Sequence, residues 1–222
     1  MRGGLFGVAG ALVMTALVSA GGWAVVTVQD VPRFAVAGQP LDLTFAVRVH
    51  GMHLTSGLGA RVLARSGHET THAVVKAAGE RGHYRARLIL PRPGEWTLTI
   101  HSGHGANDAT DLALTVIPAG GQAPVLPPVQ RGQRLFIAKG CAACHRHAAV
   151  GSTGSHGPRL DAKVHDAAHV RVMLLNPPRP DRSAPNWEMP NLNLTEDEVT
   201  ALVALLADAR WRSPSGLPVS QR

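Results

Sequence analysis

Gly132-Gln-Arg-Leu-Phe-Ile-Ala-Lys-Gly-Cys-Ala-Ala-Cys-His145 is the stretch on which the fold of this chain turns. Cys141 and Cys144 are its only cysteines, and an imidazole follows the second directly. A zinc site needs four ligands; there is no second cysteine pair, and His145 and His147 lie too close together for a zinc finger. A thioredoxin-like dithiol opens a helix in an α/β fold, and no parallel-sheet pattern surrounds this one. A plain disulfide leaves His145 without a role.

The spacing suits a different chemistry. Two thiols three residues apart can each add across one vinyl group of a haem, whose vinyl carbons are fixed on a rigid macrocycle. His145 then stands as the proximal ligand to iron. One covalently bound haem c is therefore expected, carried by Cys141 and Cys144.

Around this motif the texture is helical. Val129 to Lys139 is amphipathic and ends at Gly140. Ala167 to Leu175 reads as a short helix stopped by Asn176-Pro-Pro178. Glu196 to Trp211 reads as the terminal helix, with Thr195 and Glu198 spaced as a capping box and Val199, Leu202, Val203 and Leu206 on one face.

From about Val129 to Arg210 the sequence resembles class I c-type cytochromes. Three motifs in order carry the likeness: Gly132-Gln-Arg-Leu-Phe136 before Cys141-Ala-Ala-Cys-His145, then Gly157-Pro158-Arg-Leu160, then Met189-Pro190 before the capped helix. The resemblance implies an all-α cytochrome c fold over residues 129–212, with 213–222 as a tail. It implies that the Pro158 carbonyl accepts a hydrogen bond from His145 Nδ1–H, leaving Nε2 for iron. It maps the sixth ligand onto Met189, whose soft thioether favours ferrous iron. It also places Gly132 and Phe136 where the first and last helices cross. Two departures stand out: Leu205 occupies a position that is aromatic in many relatives, and Arg159 replaces the commoner asparagine. His147, His156, His165 and His169 are rival sixth ligands, and a vacant sixth position would turn the domain into a sensor or a peroxide-reactive enzyme. Met173, on an apolar helix, reads as a core gap-filler.

The N-terminal half is built differently. Leu41-Asp-Leu-Thr-Phe-Ala-Val-Arg-Val49 and Tyr84-Arg-Ala-Arg-Leu-Ile-Leu90 alternate apolar and polar residues with period two,. Pro91-Arg-Pro-Gly94 reads as a turn before the strands Trp96–Ile100 and Asp111–Val116. Short strands at this spacing predict an all-β Ig-like sandwich over residues 22–117. Residues 118–128, with four prolines and two glycines, read as a semi-rigid linker,.

This half resembles periplasmic sandwich domains of the FixH and YtkA-like kind. Val36-Ala-Gly-Gln-Pro-Leu-Asp-Leu-Thr-Phe45, Val49-His-Gly51 and Pro93-Gly-Glu-Trp96 carry the likeness, which implies a general link to oxidase assembly and copper handling. His50-Gly-Met-His53 and His101-Ser-Gly-His104 follow strands and supply imidazole with thioether, a donor set suited to copper. His50, Met52, His53, His101 and His104 are thus candidate copper ligands, and a copper-delivery module with an appended cytochrome is an alternative reading. Histidines in polar loops are also commonplace in a chain with 12 of them.

At the extreme N-terminus, Arg2 precedes an uncharged run from Leu5, with Val18-Ser-Ala20 as small residues at a cleavage point,. Residues 1–20 read as an export signal; the rival is an uncleaved anchor through Val28. Either way the remainder lies outside the cytoplasm, in the periplasm or an equivalent compartment. The formal charge of +7 is concentrated late in the chain. From Val129 to Arg222 there are 12 Lys and Arg against 8 Asp and Glu, compared with 9 against 7 from Trp23 to Pro118. A basic face suits redox partners with acidic docking faces, a membrane-bound oxidase or reductase among them. No basic run is interleaved with aromatic residues, which argues against nucleic acid. The expected function is single-electron transfer in a respiratory chain, by a carrier rather than an enzyme.

Overall fold

A computed structural model describes residues 22–105, 109–177 and 189–211. The export segment expected over residues 1–20 and the tail over 213–222 lie outside the described residues. Among the described residues no helix is long and apolar enough to cross a membrane.

The first half is a two-sheet, all-β Ig-like sandwich. One sheet contains β1 (Ala24–Val28), β3 (Pro40–Val49), β8 (His83–Ile89) and β7 (Val74–Ala77) in that order, with the short β4 (His53–Leu54) also paired to β3. The other runs β2 (Ala35–Val36), β10 (Ala109–Ile117), β9 (Gly94–His101), β5 (Arg61–Ser66) and β6 (Glu69–His72). All pairings are antiparallel except β2 with β10. The period-two patterns become inward faces: Leu43, Phe45 and Val47 of β3 pack against Tyr84, Ala86 and Leu88 of β8 and against Trp96, Leu98 and Ile100 of β9. Trp96 is buried and donates its indole N–H to the Arg92 carbonyl at 3.1 Å, so its one polar atom is satisfied,.

The second half is helical. Pro127 caps and Pro128 opens α1 (Pro128–Ala138), one residue before the sequence places it, because proline is tolerated where a helical N–H has no partner,. Then follow α2 (Cys141–Cys144), a small hairpin of β11 (Arg146–His147) and β12 (Ser152–Thr153), α3 (Ala167–Leu175) and α4 (Glu196–Leu206). Asp166 caps α3 through the His169 amide at 2.8 Å. Both halves of the capping box on α4 form: Glu198 N–H to Thr195 Oγ1 at 3.3 Å and Thr195 N–H to Glu198 Oε2 at 3.0 Å,. Helix α4 ends five residues before Trp211, which sequence periodicity had included. Asp208 accepts the Arg210 amide at 3.0 Å and pairs with its guanidinium, a local alternative to the helical ladder,.

Helices α1 and α4 cross closely. A Cβ on Gly132 would lie 2.2 Å from the Ala201 carbonyl oxygen and 2.8 Å from Leu205 Cβ, so only glycine fits there. Leu205 is fully buried at this crossing.

The halves also grip each other. Lys139 Nζ lies 2.8 Å from Glu198 Oε1 and donates to the Gln29 carbonyl at 2.5 Å. Arg134 donates to the carbonyls of Pro32 and Arg33 at 2.6 and 2.9 Å, and Arg33 pairs with Asp197 at 3.0 Å. Val31 packs against both cores. Gly140 sits with φ +82°, and a Cβ there would meet Val25 Cγ1 at 2.4 Å and the Val26 carbonyl at 2.7 Å. Strand β1 therefore presses directly on the turn that leads into Cys141.

Candidate haem site

Cys141 begins α2 immediately after Gly140, whose left-handed backbone turns the chain out of α1,. The four-residue helix sets both sulfurs on one short element, and its cap, His145, turns into extended backbone. Both thiols are free. Burial pushes the Cys141 thiol up to about 12 and raises Cys144 as well, so both are protonated, apolar groups in this environment.

His145 Nδ1 lies 2.9 Å from the Pro158 carbonyl oxygen, the partner expected from the sequence. With Nδ1–H donated there, Nε2 keeps the free lone pair. Gly157 also lies against the ring, where a Cβ would lie 2.4 Å from Cε1 and 2.6 Å from Nδ1. Burial lowers the His145 pKa, against the opposing pull of the Pro158 hydrogen bond, and so favours the neutral imidazole a metal requires,.

Two adjoining cavities share Cys141, His145, Pro158, Met173 and Met189 in their walls. One, of about 650 Å³, runs between the helices, against Phe136, Leu160, Val170, Leu174, Leu202 and Leu206. The other, of about 320 Å³, opens toward the sandwich and adds Cys144. The sizes and apolar linings are those of a cofactor site. Two thiols, an imidazole with a fixed tautomer and a thioether converge on this space, and that donor set fits a covalently attached haem.

Met189 lines both cavities, as its assignment requires. Met173, the apolar helix position expected to fill the core, lines both as well. The rival histidines are occupied differently. His147 is buried, takes the Ala149 amide on Nδ1 at 3.2 Å, and lines neither cavity. His165 Nε2 lies 2.9 Å from the Leu160 carbonyl. His156 stacks on Trp23 with ring centroids 4.3 Å apart, and His169 is exposed at the cavity edge. Arg159 also has a role the sequence did not reveal. It pairs with Asp161, which accepts the Ala148 amide at 2.8 Å and thereby ties the two ends of the loop after the attachment motif.

The copper expectation is not supported. Among the described residues no three His, Cys, Asp or Glu side chains are grouped to hold a metal. His50 is exposed on the β3–β4 connection and His53 is exposed at the start of β4, while Met52 faces the smaller cavity near Cys144. His101 belongs to the opposite sheet, paired across β9 with Arg61 and Ala109. His104 Nε2 is buried against Gly22, with no hydrogen-bond partner among the described residues. The sandwich end gathers these residues loosely, without a common ligand position.

Residues 129–210 match the family model described as cytochrome c, and this part of the chain is a cytochrome c domain. That family implies a covalently bound haem c, haem-based electron transfer and redox partners. The chain as a whole matches no curated protein. Among solved structures it is similar to the Lin-41 filamin domain, at 14% identity and TM-score 0.36, covering 42% of this chain and 91% of that one. It is also similar to a putative glycoside hydrolase from Bacteroides vulgatus, at 27% identity and TM-score 0.31, covering 39% of this chain and 16% of that one. A third likeness is to domains 1–6 of the surface layer protein SbsC, at 17% identity and TM-score 0.33, covering 44% and 13%. The chain thus spans under a fifth of the length of the last two.

Proposed function

We propose that this chain is an exported mono-haem c-type cytochrome that carries single electrons in a respiratory chain outside the cytoplasm. The observation that carries the reading is the convergence of Cys141, Cys144, His145 and Met189 on one apolar space, with His145 Nδ1 committed to Pro158. A bound c-type haem supplies a one-electron ferrous–ferric couple. Cys141 and Cys144 would hold it through thioether links, His145 Nε2 and the Met189 sulfur would ligate its iron, and the apolar walls would exclude water. The carbonyl of Pro158 keeps the imidazole in one tautomer and orientation, so little rearrangement accompanies a change of charge. Export is supported by the uncharged N-terminal run after Arg2,. The excess of Lys and Arg beyond Val129 suits partners with acidic docking faces, such as a membrane-bound oxidase or reductase,.

The test is protein matured in a host competent for c-type haem attachment. It should give a c-type visible spectrum and a haem-stained band on a denaturing gel. Colourless protein, or pigment extracted by acid acetone, overturns the reading.

A further inference from the structure

The smaller cavity is not a property of the cytochrome c domain alone. Trp23, Val25, Thr27, His50, Gly51 and Met52, all from the sandwich, form one of its walls opposite Cys141, Cys144 and His145. The wall is built rather than incidental. The Trp23 ring stacks on His156 at an interplanar angle of 5°, and His156 immediately precedes the Gly157-Pro158 pair that holds His145. The Trp23 ring also lies against Gly51, where a Cβ would be 2.9 Å from Cη2. His50 and Gly51 both adopt left-handed backbone, at φ 54° and 73°, and the His50 amide donates to the Trp23 carbonyl at 2.9 Å. A non-glycine residue in that conformation is strained, and strain is kept where the surroundings over-determine the geometry. Here the strained turn delivers Met52 to the cavity and pins Trp23 in place.

We propose that the sandwich completes the haem site: Trp23 and Met52 cover the side of the haem that carries its thioether links, exclude water from it and hold its reduction potential up. The inference rests on the haem reading above. Covering this side with an indole and a thioether lowers the local dielectric. A low dielectric disfavours the more highly charged ferric state, and burial and solvent exposure are recognised levers on haem potential.

Spectroelectrochemical titration of the full-length holoprotein tests this. Trp23→Ala and Met52→Gln should each shift the ferric-to-ferrous ratio at a fixed applied potential at least tenfold toward ferric, which is about 59 mV for one electron. Trp23→Phe and Met52→Leu, which keep an apolar cover, should stay within about threefold of wild type, and so should Val74→Ser on the far edge strand, where the side chain is exposed,. Covalent haem present in every variant, with an unmoved potential in Met52→Gln and in whichever Trp23 variants fold, overturns the proposal and leaves the haem reading standing. Absence of covalent haem from the wild type overturns both.

Discussion

His145 Nδ1 and the carbonyl oxygen of Pro158 stand 2.9 Å apart, thirteen residues from each other in the chain. The contact depends on Gly157, because a methyl at that position would enter the imidazole ring's space. Gly157→Ala should therefore displace the ring, cost about 1–3 kcal/mol of stability by overpacking, and perturb the absorption spectrum of the holoprotein. Denaturant melts and visible spectra of the variant check both effects. An unchanged spectrum would mean that the ring orientation is set elsewhere.

Two methionines reach the same space, and they should behave differently. On the proposed ligation, Met189→Ala opens the sixth position, lowers the potential and admits carbon monoxide to the ferrous protein. Met173→Ala removes only packing and should leave carbon monoxide unbound. Difference spectra of the two reduced variants under carbon monoxide decide between them.

The Lys139–Glu198 pair is nearly dry, with side-chain exposures of 3% and 11%. Lys139→Met leaves the Glu198 carboxylate without its cation and the Gln29 carbonyl without a donor. The expected loss is about 3–5 kcal/mol in chemical denaturation. Replacing both members, as Lys139→Met with Glu198→Gln, should recover a large part of that loss, since no unpaired charge remains and the capping acceptor is retained.

Asp161 predicts an acid dependence. Burial alone would raise its pKa, but the Arg159 hydrogen bond, the Ala148 amide and the Arg159 charge together carry it below the ordinary value of 3.8. A carboxylate depressed in the folded state contributes stability that is complete above the unfolded pKa. That contribution is lost as pH falls through the unfolded and then the folded value. Asp161→Asn should cost about 1–3 kcal/mol at neutral pH, with the gap to wild type closing below about pH 4. Thermal melts of both proteins from neutral to acid pH measure the closure.

Much of this architecture is legible in local pattern. The alternation of Leu43, Phe45 and Val47 announces β3, and Thr195 with Glu198 announces the start of α4, because each signal lies within one element. The attachment motif and Gly157-Pro158 are equally local, and they locate one wall of the cavity. What the sequence hides is the meeting of distant segments. No periodicity brings Trp23 to His156, or Gly140 against Val25 and Val26, since those contacts arise only when the sandwich docks on the helices. Met173 poses a related ambiguity: an apolar helix position looks the same whether it faces packed side chains or a space reserved for a ligand. The early end of α4 is hidden too, because an aspartate competing for backbone amides does not disturb hydrophobic spacing.

Trp23 stands immediately before β1 and forms part of the cavity wall, with Gly22 tucked beside His104. The start of β1, an edge strand of its sheet, therefore stands at the cavity's rim. A bulky label attached at Trp23 would sit at the doorway, whereas one attached at the exposed Val74, on the opposite edge strand of the same sheet, would sit at a remote corner.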